Sequence, residues 1–171
     1  MKEKVYEFLE QLKIPYQKFE HPAVFTCRQA NLYKSDLDFL DVKNLFLCNK
    51  SKSNYYLVIL PAEKKTNLKG LQEHLNETRL SFASETDLQT KLGVTAGAVS
   101  LFSIINAEQG TVEVLIDNQI IQAKNVGFHS VGFHPNINTE TLIFNSSHIP
   151  QILNHTKSKW QVLHWEEGIN C

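Results

Sequence analysis

KNLFLC at residues 43–48 and YYLVIL at residues 55–60 are two short apolar runs joined by the polar segment NKSKSN. Both runs are rich in large aliphatic and aromatic side chains, and the segment between them is typical of a turn. Together they predict a β-hairpin at the centre of the fold, with strands that are largely buried.

Lys43 opens the first run and places a cation where a buried strand begins. Side chains alternate between the two faces of a strand, so Lys43 shares a face with Leu45 and Leu47. Asn44 shares the opposite face with Phe46. A lysine at the end of an apolar surface either reaches solvent at the rim of the sheet or presents its ammonium to a ligand, and the pattern alone leaves both interpretations open.

The sequence around the hairpin mixes helix and strand signals without a regular order. The other predicted helices cover residues 2–12, residues 27–33 after a Thr26–Gln29 capping box, a segment after Asn67, a segment from Ser84 to Gly93, and a segment after Ser146 or Ser147. The other predicted strands are residues 16–20, VEVLID (112–117), QIIQA (119–123), VGFHSVGF (126–133), TETLIF (139–144) and WQVLHW (160–165). This mixture predicts one α+β domain over residues 1–171, with a mixed central β-sheet flanked by helices.

The composition indicates the setting of the protein. The three cysteines, Cys27, Cys48 and Cys171, form no CxxC pair and leave an odd one out, which favours a reducing compartment. The N-terminus carries charges throughout, unlike a signal peptide, and no stretch reaches 18 uninterrupted apolar residues. We therefore expect a soluble, cytoplasmic monomer that does not contact a membrane.

The formal net charge of -1 conceals an uneven distribution. Between residues 42 and 70, six lysines stand against the single acid Glu63, whereas acids outnumber bases between residues 71 and 120. A locally basic stretch in a neutral protein suits weak, salt-sensitive contact with a phosphate backbone, and solvated turns are the alternative.

Metal and thiol chemistry find little support in the pattern. His129 and His134 lie five positions apart on a predicted strand and would point to opposite faces, and no cysteine is near enough to complete a ligand cluster, so we expect no metal site. Cys27, near the start of a predicted helix, is either a nucleophile activated by the helix terminus or a small apolar filler.

Two further segments carry polar chemistry. LGVTAGAVS at residues 92–100 brackets a turn with Gly93 and Gly97; it lacks the P-loop lysine and the GxGxxG pattern, so it is either a helix end with a loop or a pocket wall of backbone amides. FHPNINTET at residues 133–141 combines His134, which can titrate near neutrality, with hydroxyl and amide side chains. The alternative for this segment is a β-turn held by asparagine side chains.

Seven segments in this order resemble the YbaK/prolyl-tRNA-synthetase-associated domain superfamily, and within it the free-standing editing proteins that hydrolyse mischarged alanyl-tRNA(Pro). The matching segments are HPAVFT (21–26), KNLFL (43–47), YYLVIL (55–60), RLSFAS (79–84), LGVTAGAVS (92–100), VEVLID (112–117) and FHPNINTET (133–141). The resemblance extends from the first predicted helix to the last.

The resemblance implies ester hydrolysis at the 3′ end of a charged tRNA, without a metal or organic cofactor. The family's functional lysine and asparagine fall on Lys43 and Asn44, and its site histidine falls on His134. The implied substrate-binding positions are Thr26, Gly93, Gly97, Ala98 and Asn138, and the implied tRNA-binding positions are Lys50, Lys52 and Lys64. The implied partner is the acceptor end of tRNA(Pro), and docking on prolyl-tRNA synthetase is left open.

The chain departs from the family pattern at two positions. Ala96 stands where the pattern often has proline, and Cys48 stands where a charged residue is common. Without the proline the loop backbone is less restricted, so the amino acid removed is less fixed than the reaction. The alternatives are a deacylase for cysteine or serine on tRNA, a non-catalytic tRNA- or synthetase-binding module of the same fold, and a thiol-dependent hydrolase using Cys27 or Cys48.

Overall fold

A computed structural model of the chain describes residues 1–23 and 37–165. Its α-helices are α1 (Lys2–Gln11), α2 (Leu68–His74), α3 (Glu85–Asp87), α4 (Asn118–Ile121) and α5 (Ile149–His155). Its strands are β1 (Gln17–Glu20), β2 (Val42–Asn49), β3 (Tyr55–Pro61), β4 (Leu80–Phe82), β5 (Val112–Asp117), β6 (Ser130–Phe133), β7 (Glu140–Asn145) and β8 (Lys159–Leu163). Within these ranges no helix is long and apolar enough to cross a bilayer.

The predicted hairpin forms the centre of a five-stranded mixed sheet with the order β4-β2-β3-β5-β8. β2 and β3 pair antiparallel with Lys43 opposite Leu60, and β3 then pairs parallel with β5. Every residue of β3 is buried, because the strand lies between two neighbours and both faces of the sheet are covered. The α+β class with a mixed central sheet flanked by helices is confirmed.

A second sheet of three antiparallel strands, in the order β1-β7-β6, packs beside the first, and the sequence did not predict it as a separate unit. The two sheets meet at a parallel bridge between Leu40, just before β2, and Val131 in β6. The main core includes Phe46 and Ile59 of the large sheet and Phe133 and Phe144 of the small sheet. A second cluster, on the opposite face of the large sheet, joins Leu47, Val58 and Leu60 to Leu71 of α2.

Several predicted elements differ from the observed ones. QIIQA is not a strand: the Asp117 side chain accepts a hydrogen bond from the Gln119 amide and starts α4, which runs into the 3₁₀ helix Ala123–Val126. Only the last four residues of VGFHSVGF form a strand, since Gly127 adopts a φ of 90° after the 3₁₀ helix. Neither serine caps the last helix: Asn145 caps the 3₁₀ turn Ser146–His148 by accepting from the Ser147 amide, and α5 follows with His148 at its N-cap and no side-chain cap bond. The predicted helix at residues 27–33 lies outside the described residues.

Candidate active site

Lys43 is the second residue of β2, at the start of a strand of the central sheet. Its side chain is half-buried, and its ammonium donates a hydrogen bond to the backbone carbonyl of Lys64 in the loop after β3. The alternation predicted from the sequence is observed, because Leu45 and Leu47 belong to the cluster on the α2 side of the sheet. Lys43 therefore lies at the rim of this face, and its ammonium bonds to the segment that follows the second strand of the hairpin.

His134 directly follows the last residue of β6, and Lys43 lies at the start of β2; the two segments run parallel. From the parallel bridge of Leu40 and Val131, each of the two residues lies three positions further along its own segment. Val42 and Phe133, one position earlier, are both buried in the main core. Since side chains alternate along a strand, Lys43 points away from that core. His134 directly follows β6, and the bridge brings its segment to the same end of the molecule as the start of β2.

The imidazole of His134 is fixed by a backbone contact. Its Nδ1 lies 2.7 Å from the carbonyl oxygen of Glu140. A carbonyl oxygen can only accept, so Nδ1 carries the proton and Nε2 carries the lone pair in the neutral ring. The ring centroid of His21 lies 5.7 Å away.

His21 is a part of this site that sequence reasoning did not assign. It is 8% exposed, with Nδ1 lying 2.9 Å from the Pro22 carbonyl and Nε2 lying 3.0 Å from the Thr141 hydroxyl. The signal that could have found it is the His-Pro pair, which occurs at residues 21–22 and again at residues 134–135. Thr26, which follows in the same segment, lies outside the described residues.

The turn after His134 is tied to the segment that follows the glycine loop. Asn136 is 2% exposed and has a φ of 62°; its Oδ1 accepts from the Ser103 hydroxyl at 2.9 Å and its Nδ2 donates to the Phe102 carbonyl at 3.3 Å. A single asparagine side chain therefore ties the segment after His134 to the 3₁₀ helix Leu101–Asn106. Asn138 is half-buried in the same turn.

The glycine loop, residues 93–98, begins where the predicted helix ends. α3 continues as a π-helical turn to Leu92, and Gly93 ends it with a φ of 65°. The amides of Gly93, Val94 and Ala98 bond to carbonyl oxygens within the chain. The amides that have no partner among the described residues are those of residues 95–97, so these three are the donors the loop can offer to a ligand.

Asn44 lies on the main-core face of β2. It lies on the same face of β2 as Phe46, whose cluster includes Val94 and Ala98 of the loop. Its Oδ1 is buried and accepts no hydrogen bond from the residues that the structure describes. Such an acceptor costs about 1–3 kcal/mol if it stays unpaired, so this position suits a ligand that donates a hydrogen bond.

The three lysines assigned to tRNA lie at two different ends of the hairpin. Lys50 and Lys52 lie in the exposed turn after β2, about 23 Å along the strand from Lys43. The hydrogen bond with Asp87, at 2.8 Å, raises the pKa of Lys52. Lys64 lies at the Lys43 end, but its ammonium is bonded to Asp117 at 2.7 Å and to the Trp165 carbonyl at 2.9 Å.

The remaining candidates for metal and thiol chemistry contribute little to this site. His129 precedes β6 and is not part of a strand. Among residues 1–23 and 37–165, no group of three His, Cys, Asp or Glu side chains could hold a metal ion. Cys48 is a free, buried thiol whose Sγ lies 3.9 Å from the Ser81 hydroxyl oxygen, and Cys27 lies outside the described residues.

Comparison with known proteins gives a consistent assignment. The model of the aminoacyl-tRNA editing domain family matches residues 21–149. The prolyl-tRNA editing protein ProX of Acetoanaerobium sticklandii is 38% identical over 154 residues, covering 89% of this chain and 90% of the relative. Prolyl-tRNA synthetase associated domain-containing protein 1 of Mus musculus is 33% identical over 77% of this chain and 76% of its own length.

A solved structure supports the fold independently. A crystal structure of a protein provisionally described as a trans-editing enzyme for prolyl tRNA synthetase superposes with a TM-score of 0.70, covering 98% of this chain and 97% of that one. At 16% identity this match establishes the fold alone. The chain belongs to the aminoacyl-tRNA editing domain family, and as a member of that family it is an aminoacyl-tRNA hydrolase.

Proposed function

We propose that this protein removes alanine from mischarged alanyl-tRNA(Pro) in the cytoplasm, as a free-standing proofreading enzyme of translation. The observation that carries the proposal is the buried Asn44 oxygen in β2, which accepts no hydrogen bond from the described residues. Lys43, next to it in sequence, holds its ammonium at the rim of the opposite face of the strand. The 38% identical relative named for prolyl-tRNA editing supports the choice of tRNA.

Ester hydrolysis requires stabilisation of the negative charge that develops on the carbonyl oxygen. One donor aimed at that oxygen contributes about 3–4 kcal/mol in other enzymes. The Lys43 ammonium and the amides of residues 95–97 are the donors proposed here. They lie toward different faces of β2, so one would stabilise the oxyanion and the other would hold the ester end. An ammonium has no lone pair, so Lys43 acts as a donor and not as a general base.

Asn44 and His134 are proposed to orient the terminal adenosine and the attacking water. The Asn44 oxygen accepts a hydrogen bond from the substrate, which relieves its unpaired state. With Nδ1 bonded to the Glu140 carbonyl, His134 presents Nε2 as an acceptor for a water or a hydroxyl. The neighbouring ribose hydroxyl of the tRNA assists proton transfer, so the mechanism requires no Ser-His-Asp triad.

Selection against proline rests on the size of the cavity. A synthetase pocket built for proline excludes alanine weakly, because one missing methylene is worth only about 1–3 kcal/mol. A smaller second site beside Gly97 and Ala98, with Asn138 of the turn after His134 as a further contact, would exclude proline sterically. Thr26 is kept as a substrate contact.

The acceptor stem is proposed to contact the exposed Lys50 and Lys52. Lys64 is a weaker candidate than the sequence suggested, because its side chain is only 11% exposed and its ammonium is bonded to Asp117. Its proposed contribution is to hold Lys43 through its backbone carbonyl. Docking on prolyl-tRNA synthetase would deliver the mischarged tRNA before release.

A second candidate is a deacylase for serine or cysteine on the same tRNA. It is favoured by Ala96, because a loop without proline at this position can accept a different side chain. This candidate retains the roles of Lys43, Asn44 and His134 and changes only the pocket.

Release of the amino acid from alanyl-, seryl-, cysteinyl- and prolyl-tRNA(Pro) tests the proposal. Alanine should be released fastest and proline retained, and Lys43→Ala should abolish release while the unfolding temperature stays within about 2 °C of wild type. Faster release of serine or cysteine selects the second candidate. Tight tRNA binding without release of any amino acid would leave only the non-catalytic binding module.

A further inference from the structure

We propose that Glu140 is a positioning residue that holds His134 in one tautomer and one orientation, and that α1 thereby forms part of the active site. The inference rests on the proposed function, because it assumes that His134 acts on the substrate. It assigns a role to two residues of α1, Lys2 and Tyr6, which lie outside the site as predicted from the sequence.

The Glu140 carboxylate is anchored from one side of the small sheet by α1. Lys2 donates to Oε1 at 2.5 Å and the Tyr6 hydroxyl donates to Oε2. Lys2 and Tyr6 are four residues apart, so they lie on the same face of the helix. Only 5% of the Glu140 side chain is exposed, and a buried carboxylate with two strong donors is held firmly.

The charge state of Glu140 agrees with this anchoring. Burial alone would raise the pKa of Glu140, but the hydrogen bonds from Lys2 and Tyr6 outweigh burial and lower it. Burial and the bond to Glu140 raise the pKa of Tyr6. The carboxylate is therefore ionised and Tyr6 remains a donor at neutral pH.

The backbone of Glu140 carries the constraint to the other side of the sheet. Glu140 is the first residue of β7 and pairs with Glu20, and the His21 amide donates to the Thr139 carbonyl at 3.0 Å. The backbone that carries the Glu140 carbonyl is therefore held by β1 and by the His21 amide. Since that carbonyl sets the proton on Nδ1 of His134, loss of the anchor loosens the imidazole without removing any group that touches the substrate.

Two variants and one control separate positioning from simple structural support. Glu140→Ala removes the anchored carboxylate, and Tyr6→Phe removes one donor and keeps the ring that stacks on Tyr16. Glu20→Ala is the matched control, because Glu20 pairs with Glu140 in the ladder and its exposed carboxylate bonds to Lys18. The three measurements are single-turnover release of alanine from alanyl-tRNA(Pro), the ¹⁵N shifts of the His134 ring, and thermal unfolding.

Glu140→Ala should lower the rate of release about tenfold in the wild-type background and less than about twofold in a His134→Ala background. In Glu140→Ala the ¹⁵N shifts of the His134 ring should change from those of a single Nδ1–H tautomer to those of a mixture. Tyr6→Phe should change the release rate and the ring shifts in the same directions by smaller amounts. Glu20→Ala should change neither. A lower rate with unchanged ring shifts, or equal losses in both backgrounds, would overturn the inference. The ring shifts need no substrate, so they test the positioning of His134 even if wild type releases no amino acid.

Discussion

Lys64 and Asp117 form an ion pair of 2.7 Å in which only 11% and 1% of the two side chains are exposed. The same carboxylate caps α4 by accepting from the Gln119 amide at 2.8 Å. The Lys64 carbonyl accepts the hydrogen bond from the Lys43 ammonium. One buried pair therefore fixes the ends of β3 and β5 and the position of the proposed catalytic cation.

Removing the acid of this pair should destabilise the protein strongly. Asp117→Ala leaves the Lys64 ammonium buried without its charge partner, and we expect the free energy of unfolding in urea to fall by about 3–5 kcal/mol. The control is Lys159→Ala in the Lys159–Glu113 pair, where the lysine is 76% exposed, and it should cost less than about 1 kcal/mol. Similar losses for both variants would contradict a structural role for the buried pair.

A side chain at Gly132 should disturb the small sheet. A Cβ at this position would lie 2.6 Å from Cδ2 of the Phe39 ring and 3.0 Å from Cγ2 of Thr141. We expect Gly132→Ala to cost about 1–3 kcal/mol by overpacking, measured as the free energy of unfolding in urea. Adding Phe39→Leu should restore part of the loss, and an equal or larger loss in the double variant would show that the contact with the ring is not the cause.

The central hairpin could be predicted because its signals are local. Alternation along residues 43–48 correctly separated Lys43 from Asn44, and Gly93 marked the end of a helix that the structure confirms. The small sheet could not be predicted in the same way, because β1 pairs with β7 more than 100 residues later and strand periodicity does not identify a partner. QIIQA misled for a related reason: two isoleucines fit a buried strand or a short buried helix equally well.

The proposed site residues that the sequence singles out are those whose chemistry is unusual for their place. Lys43 at the start of an apolar strand and His134 before a polar turn both stand out in the sequence. Glu140 and Tyr6 do not, since a charged residue at a strand end and a tyrosine on a helix are ordinary; only the tertiary fold joins them at a distance of 134 residues. The sequence suggested an exposed, tRNA-binding Lys64, whereas the structure buries it against Asp117, a partner that the local charge pattern does not identify.

Asp87 should make stability depend on pH in the acid range. Hydrogen bonds from Lys52 and Ser84 lower its pKa despite the opposing effect of burial. Its contribution is complete above the unfolded-state pKa of about 3.9 and is lost as the pH falls below that value, because protonation then favours the unfolded chain. The unfolding temperature of wild type minus that of Asp87→Asn should be largest near pH 6 and shrink between about pH 4 and pH 2; a constant difference would contradict the prediction.

Salt dependence of tRNA binding should reveal which end of the hairpin meets the acceptor stem. Replacing a lysine that contacts a phosphate reduces the slope of log K against log salt by about 1, whereas an uninvolved lysine leaves it unchanged. We expect Lys50→Gln with Lys52→Gln to reduce the slope by about 2. The matched pair is Lys65→Gln with Lys69→Gln, two exposed lysines that follow Lys64, whose carbonyl accepts from the Lys43 ammonium. An unchanged slope in the first pair and a reduced one in the second would place the acceptor stem beside Lys43 and remove the turn after β2 from the interface.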